Sequence, residues 1–182
     1  GGPSYITPKI LDTLKVYKAK ATFFEVGAQA KLYPSIARRT VREGHVVGMM
    51  GENHRNLLAA PVDIAKQDLQ QGSETVRLVT GTTPRLARAP YGAMTTERAK
   101  ELGMSFVAWS VGSDDGADVS EAYRSVMANV HEGVVVAASE VSDTTAAAYT
   151  RVIPELIKKG YKLVTVPELM GSAPAPDVFG EL

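Results

Sequence analysis

The feature that most constrains this chain is a repeated alternation. Short runs of β-branched and aromatic residues are each joined to a longer segment whose apolar residues recur at helical spacing, and Gly or Pro stands at the junctions. That pattern reads as a series of βα units. The clearest helix carries Ala65, Leu69, Gly72, Val76 and Val79 on one face and stops at Gly81. Other helices are expected over 7–18, 33–42, 95–102, 120–130 and 144–159, with Pro154 predicting a kink or break in the last. Strands are expected over 21–26, 45–49, 86–88, 105–111, 134–138 and 161–166. Such a chain closes either as an open doubly wound sheet or as a barrel. In both, function sits at the carboxyl ends of the strands.

With 182 residues, 45% of them hydrophobic, the chain is long enough for one domain, expected over 1–171. The tail 172–182 is rich in Pro and Ala and is expected to form no regular structure. Twenty basic side chains balance 20 acidic ones, and no basic run is present. Nucleic acid and anionic membrane surfaces, which need clustered Lys and Arg, are therefore not expected partners. No stretch reaches the ~18 apolar residues of a membrane span, and Gly1-Gly2-Pro3-Ser4 lacks the basic and apolar parts of a signal peptide. The absence of Cys excludes disulfides and thiol chemistry and leaves the compartment open. A dinucleotide site is not expected, because no strand leads into a glycine-rich phosphate loop.

Thr7-x-x-Ile10-Leu11-Asp12-x-Leu14, followed by Ala21-Thr22-Phe23-Phe24-x-x-Gly27, resembles the NodB homology domain of polysaccharide deacetylases, carbohydrate esterase family four. The likeness continues in order along the chain. It includes Glu43-Gly44-His45-x-x-Gly48, Arg88-x-Pro90-Tyr91-Gly92, Val107-x-Trp109-Ser110-Val111, and the closing Gly160-Tyr161-x-Leu163-Val164-Thr165-Val166-x-Glu168-Leu169. The resemblance implies a distorted (β/α) barrel of about six to seven βα units. It also implies hydrolysis of acetyl groups from N- or O-acetylated sugars with zinc or another divalent metal held by an Asp and two His. A second Asp would act as base and a His of the fifth motif as acid. An extracellular or cell-envelope location is implied in the same way.

Position by position, this sequence departs from that pattern. The resemblance aligns Gly1 with the metal-binding Asp, and the base Asp and the first strand are expected to be missing. Met50-Gly51-Glu52-Asn53-His54 aligns with the two-His motif, so Met50 stands where the first His belongs and His54 remains. Gly112 and Gly116 stand for an Asp and a Trp of the fourth motif, which Asp115 matches, and Ser139 takes the place of the acid His.

The residues alone lead to the same place. A catalytic zinc site needs three protein ligands and an open position, and this chain has three His in all. His45 opens a strand and His131 closes a helix, so both belong to the rim opposite His54. The thioether of Met50 is a poor zinc ligand. No metal site and no cofactor are expected. The candidate catalytic residues are His54, Asp115 and Arg88, with Asp115 or Glu52 able to orient the imidazole. Tyr91, Trp109, Pro90 and Ser139 are candidate substrate-binding residues. Other expectations are an Arg88–Asp115 ion pair across the mouth, Glu25 facing the mouth or the outside, and a solvated acidic turn at Asp114, Asp115 and Asp118.

The expected function is that of a polysaccharide-deacetylase-like protein with its metal and acid-base positions largely replaced, and hence without the family's activity. Two alternatives stay open. One is a metal-independent amide or ester hydrolase built on His54, and the other is a module that binds glycan or protein at the barrel mouth. An open seam is expected between 21–26 and 161–166, able to support self-association or to be covered by the tail from Ala175 to Leu182.

Overall fold

The computed structural model describes residues 1–112, 118–171 and 178–179. Helices and strands alternate as α1 (Thr7–Val16), β1 (Thr22–Glu25), α2 (Gly27–Leu32), α3 (Pro34–Arg42), β2 (Val46–Met49), α4 (Val62–Thr80) and β3 (Leu86–Ala87). They continue through a 3-10 turn (Pro90–Gly92) to α5 (Thr96–Leu102), β4 (Ser105–Val107), β5 (Val111–Gly112), α6 (Val119–Asn129), β6 (Val136–Ala137), α7 (Asp143–Lys158), α8 (Val166–Met170) and β7 (Val178–Phe179).

Every strand pair among them is parallel, in the order β1-β2-β3-β4-β7 in one sheet and β5-β6 in the other. Successive side chains on a strand point to opposite faces, and Phe23 and Phe24 show what this does here. Phe23 packs outward among Ile10, Leu14, Val152 and Leu156 of α1 and α7. Phe24 packs inward with Val26, Met50, Leu86, Val107 and Val166, the filling of the barrel.

Several expectations are corrected. Pro154 does not break its helix, because α7 runs unbroken from Asp143 to Lys158 with Val152, Ile153 and Leu156 all buried. Burial of each such side chain is worth about 1.5–3 kcal/mol, enough together to offset the ~3 kcal/mol of an internal proline. The expected strand 105–111 divides into β4 and β5 around Ala108–Ser110. No strand forms over 161–165, and the carboxyl half of that segment turns into α8 through a capping box of Thr165 and Glu168. The tail is not wholly irregular: Val178 and Phe179 pair with Phe106 and Val107. These two residues therefore lie on β4, away from the seam beside β1.

Candidate functional site

The carboxyl ends of the strands gather the residues singled out above. The loop after β2 is held from below by α4. The buried carboxylate of Asp68 accepts the Glu52 N–H (3.1 Å) and the Asn53 side-chain amide (2.9 Å). Gly72, one turn on, lets the helix touch the loop, since a Cβ there would lie 2.4 Å from the Gly51 carbonyl carbon. This support turns His54 into the mouth at φ 54°, a left-handed conformation that costs a non-glycine residue energy. Tyr91 has the same kind of backbone, φ 63°, and is 73% exposed. The two rings meet edge to face, with centroids 5.1 Å apart.

Gly1 lies against the same imidazole: a Cβ on it would sit 3.3 Å from His54 Nε2. Burial, and after it the Arg88 guanidinium, lower the His54 pKa, so the ring is neutral at pH 7. Arg88 lies over Trp109, 3.9 Å from its ring centre, a cation–π contact. Pro90 is buried and begins the turn that presents Tyr91. Ser139 is half-buried and follows β6.

Some expected partnerships are absent. Glu52 does not orient His54, because its carboxylate pairs with Lys31 (2.7 Å) and lies under the loop beside Gly27. Glu25 faces neither mouth nor solvent. It is fully buried, both carboxylate oxygens lack a hydrogen-bond partner among the described residues, and burial followed by repulsion from Glu140 raises its pKa to about 8. Asp118 caps α6, accepting the N–H groups of Ser120 and Glu121. Asp114, Asp115 and Gly116 lie outside the described residues, and with them the expected Arg88–Asp115 pair. His45 and His131 are at the opposite rim, as their places in the sequence required.

Sequence reasoning passed over Glu140. This carboxylate is buried and accepts the Gly2 N–H (3.1 Å) and the Thr7 hydroxyl (2.8 Å), while Ser4 Oγ donates to its carbonyl (2.6 Å). It thereby ties the first residues and α1 to the end of β6. Its signal was an acid two residues past the apolar run 134–138. Asp68 had a similar one, an acid beside the buried stripe of α4.

A divalent metal can be tested against these side chains. Among the described residues no group of three or more His, Asp, Glu or Cys side chains converges. Met50 is 4% exposed and packs as a hydrophobe with Phe24 and Leu86. The described residues by themselves do not assemble the three such donors that a zinc centre needs.

Parallel strands, a helical wall and this ordered series of loop motifs define a carbohydrate-deacetylase barrel. The chain belongs to the polysaccharide deacetylase family, whose model matches residues 1–107. It is 32% identical over 173 residues to the peptidoglycan-N-acetylglucosamine deacetylase PgdA of Listeria monocytogenes, covering 94% of this chain and 37% of that protein. It thus spans little more than a third of that relative's length. The peptidoglycan deacetylase PdaC of Bacillus subtilis superposes with a TM-score of 0.89 at 30% identity, covering 94% of this chain and 86% of that one. A mutant of BA3943, a CE4 family pseudoenzyme, superposes with a TM-score of 0.83 at 26% identity, covering 91% and 62%.

Proposed function

We propose that this domain keeps the glycan-facing mouth of a polysaccharide deacetylase without its metal-dependent hydrolysis. The observation that carries the reading is the donor set. Met50 is packed into the apolar core and Gly1 lies beside the one remaining imidazole, His54. Water activation on a metal requires donors that these side chains do not supply. An exposed Tyr91 beside His54, and Trp109 beneath Arg88, still offer aromatic faces and hydrogen-bonding groups to an acetylated sugar. The relatives named above support cell-envelope glycan as the ligand class and the envelope as the location. The pseudoenzyme among the similar structures supports a domain of this fold that does not catalyse.

A second reading is favoured by the neutral His54. A lone imidazole in base form at pH 7 can accept a proton from water, with Arg88 nearby to stabilise developing negative charge, in a metal-independent hydrolase. One experiment decides between the two. Acetate release from acetylated peptidoglycan fragments, chitooligosaccharides and acetylated xylan is measured for the unaltered chain and for His54→Ala, with and without added zinc. The first reading expects no rate above background for either protein and no stoichiometric zinc. A rate that falls roughly a hundredfold in His54→Ala, the scale of a lost general base, overturns it.

A further inference from the structure

Trp109 stands where the barrel wall changes partners. Before it, β4 pairs with β7, Phe106 beside Val178 and Val107 beside Phe179, and the Ala108 N–H donates to the Phe179 carbonyl at 2.7 Å. After it, the N–H groups of Ser110 and Val111 turn to the Val135 carbonyl (3.2 and 3.4 Å), and β5 pairs with β6. The residue that carries the indole is therefore held on its amino side by β7 and on its carboxyl side by β6. The ring itself is closely fitted. Arg88 covers its face, a Cβ on Gly92 would lie 2.9 Å from Cη2, and one on Gly112 would lie 3.3 Å from Nε1. A small hollow beside the ring is lined by Val178 together with Ala89, Met94 and Phe106. Neighbouring side chains of β7 go to opposite faces. Val178 packs on the cluster of Leu69, Met94 and Phe106, and Phe179 packs on the inward cluster of Phe24, Met50 and Leu86. Both stay half-buried, and so short a strand opens at lower cost than the barrel it lines.

We propose that Phe179 is a positioning residue for the mouth. Seated among the inward core side chains, it keeps β7 against β4, and β7 in turn fixes where Trp109, with Arg88 stacked on it, is presented to ligand. A side chain that never touches sugar thereby sets how well the mouth binds it. The ligand half of this inference rests on the glycan-binding reading above, and the geometric half does not. The coupling is reciprocal by linkage, so a sugar bound on Trp109 strengthens the seating of β7.

Trp109 is the one tryptophan of the chain, so its emission reports this ring alone. The test compares the unaltered 182-residue chain with Phe179→Ala, Phe179→Leu and Val76→Ala. The last of these opens a cluster formed with Ala30, Ala37 and Val47, which includes neither Trp109 nor β7. Phe179→Ala is expected to move the emission to longer wavelength, to raise its quenching by acrylamide, and to weaken binding of triacetylchitotriose by roughly tenfold, the scale of one aromatic contact. Phe179→Leu is expected to restore most of each, and Val76→Ala to change none of them, whatever it costs in urea midpoint. If Phe179→Ala does not fold, Val178→Thr, which keeps the side-chain shape but sets a hydroxyl against the apolar cluster, takes its place with the same expectations. Emission and quenching that stay unchanged in the folded variant, or that Val76→Ala changes equally, overturn the proposal. Failure of the unaltered chain to bind triacetylchitotriose refutes the glycan reading instead, and emission and quenching then decide the positioning role by themselves.

Discussion

Glu25→Gln should change how the stability of this domain depends on pH. The carboxyl is fully buried and unpartnered among the described residues, and its pKa rises from an ordinary 4.5 to about 8. In the unfolded chain the group ionises above about 4.5, whereas in the folded chain it stays protonated until about pH 8. Between those values the folded state binds the extra proton, so stability contributed by the neutral acid is full below pH 4.5 and is lost as pH rises toward 8. At about 1.4 kcal/mol per pH unit the whole difference approaches 5 kcal/mol. Gln keeps the shape and removes the titration. Urea unfolding at pH 5, 6, 7 and 8 should show Glu25→Gln gaining on the unaltered chain steadily, by roughly 3–5 kcal/mol at pH 8 relative to pH 5. Using the difference between the two proteins cancels His45, which burial pushes down to about 4 and which titrates in both. Parallel stability curves across that range would refute the reasoning and place Glu25 in contact with water or a cation.

Met50→His should not by itself create tight zinc binding, because His54 and one new imidazole leave a three-donor site incomplete; metal analysis after dialysis against zinc checks this. Gly72→Ala should destabilise by roughly 1–3 kcal/mol, since its Cβ meets backbone at Gly51 and Glu52 at 2.4 and 2.7 Å. The loss should appear in thermal unfolding together with a shift of the His54 ring resonances. Asp118→Ala removes the cap of α6 and should destabilise the domain, read as a lowered urea midpoint with unchanged slope.

The sequence by itself determined the elements whose information is local and the family that their order reveals. The stripe Ala65-Leu69-Gly72-Val76 announced α4, Gly81 its end, and the run 21–26 its strand, because helical and extended periods are written in neighbouring residues. That the thioether of Met50 is a poor zinc donor was equally legible, since residue type alone limits what can bind a metal. Tertiary structure decided whatever depends on a distant partner. Residues 161–165 carry a strand-like pattern yet form no strand, because pairing requires a neighbour, while Val178 and Phe179 become one only by lying on β4. Glu25 looked like a rim residue from its place before Gly27. Its burial against Glu140, more than a hundred positions away, set its protonation instead. The left-handed backbones of His54 and Tyr91 belong to the same class, imposed by the packing of α4 beneath one loop and of Pro90 beneath the other rather than by any preference of the two residues themselves.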